Sequence, residues 1–205
     1  MSGTEHGDAG VRFRELRTGL VEISARRGQE PALDAALHRE FGLSLPVQGG
    51  GSEKDGVAAL WMGPAMTLIV APPERLHSLF RNMASSVAAV VDQSGGFVML
   101  SVEGPSATAL LAKGCRLDLV GQSFPKAGVA RTVIAQISVL LYRIGDTKFE
   151  VVVPATFVRS FTDFIRSAGA EFGCVVLPPV QRNGAASHRC ATKQERIEIP
   201  GPTLQ

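Results

Sequence analysis

Histidine and cysteine are the side chains of this chain best suited to metal or nucleophilic chemistry, and they are few: four histidines and three cysteines. A metal site needs several such groups to converge on one point. His6, His38, His77 and His188 are far apart; His6 and His188 fall in polar end segments, and His38 and His77 sit beside apolar helical stripes. His188-Arg189-Cys190 is a close pair of candidate ligands, but two groups on a polar arm do not close a tetrahedral site. Cys115, Cys174 and Cys190 are odd in number and lack paired spacing, which argues against a disulfide framework. Cys115, in Lys113-Gly114-Cys115, follows a predicted helix end rather than a helix start, so no helix dipole lowers its pKa. A small buried thiol is the expected role.

The remaining candidates read the same way. Ser94 and Ser101 have no histidine positioned beside them in the sequence, and nothing favours a triad. Asp92, and Asp118 considered with Glu103, suit turns and caps better than an acid/base pair. Gly49-Gly50-Gly51 is followed by charged residues rather than a helix and lacks the G-x-G-x-x-G spacing that brings backbone N–H groups to a pyrophosphate. It is expected to be a flexible loop. Trp61, the single tryptophan, fits either an interface anchor or core packing. No catalytic, cofactor-binding or metal-ligating residue is therefore expected in the chain itself.

These residues sit on a chain of 205 residues, enough for one domain or two small lobes around a shared core. A chain of this size buries about 70% of its unfolded surface and needs no covalent staple. The net charge is +2, with Lys and Arg scattered among acids, so no nucleic-acid footprint is expected. The first residues are polar and acidic without an apolar stretch of signal-peptide type. No apolar run approaches the about 20 residues that span a bilayer, so no membrane contact is expected and the default compartment is cytoplasmic.

Residues 1–10 are expected to be a disordered tail, residues 11–176 a single domain, and residues 177–205 an extended arm opened by Pro178-Pro179. Within the domain, Leu20–Ile23 reads as a strand; Pro31 opens a helix with Leu33, Ala36, Leu37 and Phe41 on one stripe, stopped at Gly42. Val57–Met62 and Thr67–Ala71 read as strands turning at Gly63-Pro64. Pro72-Pro73 opens a helix with Leu76, Leu79, Phe80 and Met83 at helical spacing. The order then recurs. Val87–Asp92 and Phe97–Val102 read as a hairpin turning at Ser94-Gly95-Gly96, and Pro105 starts a short helix ending at Gly114. Strands at Arg131–Gln136, Val139–Ile144 and Phe149–Val153 follow, then a helix carrying Phe157, Phe161, Phe164, Ile165, Ala168 and Phe172 up to Gly173. Strands alternating with helices in this split order predict an α+β fold of two ferredoxin-like split βαβ halves.

The segment Val91-Asp92-Gln93-Ser94-Gly95-Gly96-Phe97 through Glu103-Gly104-Pro105-Ser106-Ala107 to Lys113-Gly114-Cys115-Arg116-Leu117-Asp118-Leu119 resembles the sarcosine oxidase gamma subunit family. The resemblance continues through Phe124-Pro125, Ala130-Arg131-Thr132, Phe149-Glu150-Val151-Val152-Val153-Pro154 and Phe157-Val158-Arg159-Ser160-Phe161 to Gly173. It implies a fold like the folate-binding domain of the glycine-cleavage T-protein. It also implies a heterotetramer with alpha, beta and delta subunits, in which FAD, FMN, NAD, tetrahydrofolate and zinc are held by partners and none by this subunit. The implied activity of the assembly is oxidative demethylation of sarcosine to glycine, with electrons passing to oxygen and the one-carbon unit to tetrahydrofolate. An equivalent subunit of a related N-methyl amino acid dehydrogenase or oxidase, and a stand-alone folate-binding protein, are the alternative expectations.

Overall fold

The computed structural model describes residues 9–83 and 85–182, and the structural statements that follow concern those. His6, His188, Cys190, the first eight residues of the expected tail and the expected arm beyond 182 lie outside them.

The chain opens with β1 (Val11–Arg17), a strand absent from the sequence reading. The first half follows as β2 (Gly19–Ala25), α1 (Glu30–Phe41), β3 (Gly51–Lys54), β4 (Val57–Gly63), β5 (Met66–Ala71), α2 (Pro73–Asn82) and β6 (Ala88–Asp92). Pro31 sits in the first turn of α1, Leu33, Leu37 and Phe41 turn inward as one stripe, and Gly42 ends the helix at φ 66°. That left-handed conformation carries little penalty without a Cβ, and its N–H donates to His38 O at 2.8 Å. In α2, Leu76 and Leu79 are buried and Phe80 is exposed. The strands form a five-stranded sheet in the order β3-β4-β5-β2-β6. Apart from β3, added at the edge, this is the split βαβ arrangement: β2 lies centrally, flanked by β5 and β6, both antiparallel to it.

The second half runs β7 (Phe97–Glu103), α3 (Ala107–Ala112), β8 (Val129–Ile134), β9 (Ile137–Gly145), β10 (Lys148–Pro154), α4 (Val158–Gly169), β11 (Cys174–Val176) and β12 (Val180–Gln181). Its sheet has the order β11-β1-β7-β10-β9-β8, with β12 also on β1. The place beside β7, which a split βαβ half would give to its own last strand, is taken by β1 from the beginning of the chain. β1 is antiparallel to β7 (Phe13 opposite Val102), and β11 is displaced one position outward, parallel to β1 (Phe13 opposite Val176). The fold is α+β, as expected, in four layers: helices, sheet, sheet, helices.

Three apolar cores hold the layers together. Ile23, Leu33, Leu37, Ile69 and Leu79 pack α1 and α2 on the first sheet. Leu110, Leu111, Phe149, Phe161 and Ile165 do the same for α3 and α4 on the second. Leu20, Leu60, Leu68, Met99, Leu140 and Val152 fill the space between the sheets. Each fully buried side chain of this size contributes about 1.5–3 kcal/mol relative to exposure.

Several details correct the sequence reading. The turn at Ser94-Gly95-Gly96 does not close a hairpin: β6 pairs with β2 in one sheet, while β7 pairs with β1 and β10 in the other. The turn is instead a tether between layers. Asp92 Oδ1 accepts the Ser94 N–H at 2.9 Å, and Ser94 Oγ accepts the Leu20 N–H at 3.0 Å. Turn chemistry specifies a chain reversal, but not which strands become neighbours. Gly51 belongs to a strand rather than a loop, because Gly50 and Gly51 let the chain approach the second sheet: the Gly51 N–H donates to Ala127 O at 2.8 Å. Phe157 lies off the buried stripe of its helix and is half exposed. At the two ends, Gly10 O accepts the Ser106 N–H at 2.9 Å, and residues 177–182 run along β1, with the Leu177 N–H donating to Phe13 O at 2.8 Å and the Arg182 N–H to Arg17 O at 2.9 Å.

Candidate functional site between the two sheets

Side chains alternate across a strand, so Glu150, Val152 and Pro154 of β10 share the face turned toward the first sheet. Along this face the interior changes character. Around Val152 and Pro154 lies a cavity of about 170 Å³ with Met62, Leu68, Phe97 and Leu140 in its apolar wall and Gln93, Arg131 and Ser138 as its polar groups. Around Glu150 the space is filled by charge. Arg182 reaches in from the residue after β12, and its Nε donates to Glu150 Oε1 at 3.1 Å and Oε2 at 2.9 Å. Arg182 Nη2 lies 3.2 Å from Glu53 Oε1 on β3, and Nη1 donates to Gly56 O at 3.4 Å. Glu150 and Arg182 are each 2% exposed, which makes this a core ion cluster joining carboxylates from opposite sheets.

Burial costs each of these charges several kcal/mol, which only close pairing repays. Burial raises the Glu150 carboxyl above the ordinary range, with Arg182 acting against it. Burial also works against the Arg182 guanidinium, but Glu150 and Glu53 outweigh it and hold its pKa above the ordinary value. Tyr142 of β9 joins the cluster; burial, followed by the charges of Glu53 and Glu150, pushes its phenol upward, so it stays protonated. None of the four is among the cavity's lining residues. Arg182 pairs with a carboxylate from each sheet, which ties the two sheets together at this end.

Of the residues singled out from the sequence, those that the structure describes are not gathered here. His38 and His77 are exposed on α1 and α2. Cys115 is buried beside Ile134, with its Sγ 3.6 Å from Thr132 Oγ1. Cys174 is half-buried, and burial pushes its thiol pKa up. Ser94 tethers the turn described above, and Ser101 is buried within β7. Glu103 meets Arg12, Arg14 and Lys148 at 3.6, 3.8 and 3.6 Å, whereas Asp118 accepts the Val120 N–H at 2.9 Å in an exposed turn. Trp61 is half-buried in the wall of a second cavity, of about 180 Å³, with Leu33, Leu45 and Met66. Among the described residues no group of three or more His, Cys, Asp or Glu is placed to hold a metal, and no helix is long and apolar enough to cross a membrane.

Sequence reasoning passed over the Glu53–Glu150–Arg182 cluster. One signal was available: Glu150 heads the apolar run Val151-Val152-Val153, and a carboxylate in such a run needs a cation. That the cation would come from a polar terminal segment was not readable.

Residues 46–177 match the GCVT N-terminal domain family. The sarcosine oxidase subunit gamma of Corynebacterium sp. (strain U-96) is 30% identical over 174 residues, covering 81% of this chain and 82% of that protein. The chain belongs to the sarcosine oxidase gamma subunit family. The corresponding subunit of Corynebacterium sp. (strain P-1) is 32% identical over 166 residues, covering 79% of this chain and 81% of its own. In three dimensions the chain is similar to one from the heterotetrameric sarcosine oxidase of Corynebacterium sp. U-96 in complex with pyrrole 2-carboxylate, with a TM-score of 0.73, 30% identity, and 83% and 89% of the two chains covered. The glycine cleavage system aminomethyltransferase T of Bartonella henselae superposes with a TM-score of 0.60 at 14% identity, covering 84% of this chain and 49% of that one. At that identity the likeness is one of fold, and the four-layer architecture is the shared feature.

Proposed function

We propose that this chain is the non-catalytic gamma subunit of a cytoplasmic, sarcosine oxidase-type heterotetramer. Its role is to hold the alpha, beta and delta subunits in place while FAD, FMN, NAD, tetrahydrofolate and zinc act within those partners. The assembly demethylates sarcosine to glycine, with electrons going to oxygen and the one-carbon unit to tetrahydrofolate. The observation that carries this reading is the near full-length match, in sequence and in structure, to a subunit of an enzyme named as heterotetrameric. The use of buried polar groups supports it. Glu53, Glu150 and Arg182 bind one another across the sheets, and Arg143 donates to Leu119 O at 3.0 Å and Phe124 O at 2.6 Å, pinning a loop. Exposed apolar side chains, including Val120, Val133, Phe157, Val175 and Val176, offer surface for neighbours.

Co-expression with the three partner subunits and purification through a tag on this chain tests the proposal. The expected result is a stoichiometric four-chain complex with flavin absorbance and sarcosine-dependent oxygen uptake, while the chain alone shows neither. Oxygen uptake by the isolated chain, or full assembly and turnover when it is left out, would refute it. The cavity beside Phe97 is the one observation favouring the alternative of a stand-alone folate-binding protein. Titration calorimetry of the isolated chain with tetrahydrofolate separates the two: micromolar binding would support that alternative.

A further inference from the structure

We infer that residues Leu177–Arg182 form a charge-keyed strap, in which Arg182 locks the two sheets together so that release of the strap and opening of that end of the sandwich are one event. Apart from Arg182 the segment lies along β1 as a short and largely exposed edge, paired at Leu16 and Arg17. β12 is two residues long, Pro178 and Pro179 donate no N–H, and the Leu177 and Arg182 N–H groups donate to β1 at Phe13 O and Arg17 O. The side chain at its end makes a much larger commitment. Arg182 is 2% exposed and spans from Glu150 on the second sheet, at 2.9 Å, to Glu53 on the first, at 3.2 Å.

Removing the guanidinium leaves two carboxylates from opposing sheets in a buried space whose other titratable groups, among the described residues, include Tyr142, whose phenol stays protonated, and Lys148, acting from the start of β10. Such a pair cannot stay ionised and close together, so that end of the sandwich must open or take up a proton. Glu150 already lies above its ordinary pKa because it is buried. Loss of Arg182 raises it further, so the added stability is present at acid pH and lost as pH rises through the folded-state pKa.

Native-state hydrogen exchange on the full-length chain reads the coupling directly. The Leu177 and Arg182 amides and those of Gly51–Lys54 are expected to share one opening equilibrium with the same denaturant dependence. Exchange of Leu177 and Arg182 while Gly51–Lys54 stays protected would overturn the inference. In full-length Arg182→Met at pH 7.5, exchange at Gly51–Lys54 and at the start of β10 is expected to accelerate roughly a hundredfold or more. The E53Q/E150Q/R182M variant is expected to recover most of that protection. The midpoint of thermal unfolding of R182M should gain more than that of the native chain when pH falls from 8 to 5.5. If R182M does not fold but the triple variant does, the charge lock is supported. If both fail to fold, or R182M exchanges like the native chain, it is wrong.

Discussion

A Cβ built on Gly51 would lie 2.9 Å from Leu60 Cδ2, 3.0 Å from Val129 Cγ2 and 3.1 Å from Tyr142 Cε2. All three neighbours are buried, so Gly51→Val is expected to cost about 1–3 kcal/mol through overpacking, read as a lower urea midpoint with an unchanged slope. Asp92 makes a different prediction. The backbone N–H of Ser94, then its side chain, hold the Asp92 carboxyl below the usual range. A depressed carboxyl contributes stability above its unfolded pKa and loses it as pH falls through the lower folded value. The Asp92 carboxyl resonance should accordingly titrate at a lower pH than that of an unstructured aspartate, and Asp92→Asn should flatten the acid limb of the stability profile slightly, since the group is exposed. At this scale the sequence anticipated a small buried thiol at Cys115, but the glycine triplet became meaningful only with the three strands that crowd it.

Elements were legible in proportion to how local their cause is. α1, α2 and α4 announce themselves by prolines at or just before their starts, apolar residues three and four apart, and a glycine at or after the end of α1 and α4, all within one short window. Even there the stripe was drawn too wide. Phe161 is fully buried and Phe157 half exposed, so Phe161→Ala is expected to cost about 3–5 kcal/mol and Phe157→Ala within about 0.5 kcal/mol by chemical denaturation. β1 carries alternating buried and exposed residues, but it is short and has charged residues at four of its seven positions. Nothing near it in sequence indicates its partners β7 and β11, which begin at Phe97 and Cys174. The misassigned hairpin has the same origin. Two adjacent strands with turn residues between them pair by default, and only the global arrangement of two sheets sends them apart.

At the level of the whole molecule, the two halves are joined through an apolar interior at one end and a salt-bridged one at the other. The sequence foretold the repeat, because each half obeys the same local grammar. It did not foretell the joint, which draws on β3, β10 and the residue after β12. A chain lacking residues 1–17 would leave the second sheet interrupted between β7 and β11 and the inner faces of Val11, Phe13 and Leu16 unfilled. It is expected to lose the single cooperative transition of the full chain in a thermal scan followed by circular dichroism, rather than to melt a few degrees earlier.

The place of β1 also dictates an order of events in the cell. Among the described strands it is the first to leave the ribosome, yet its flanking strands β7 and β11 begin only at Phe97 and Cys174. Until β7 is made, β1 has no native neighbour in its own sheet, and pairings between such distant segments form slowly. The newborn polypeptide therefore carries β1 unpaired until β7 follows and open on one edge until β11 does, and a chaperone or a waiting partner chain that shields it would raise the yield of folded protein.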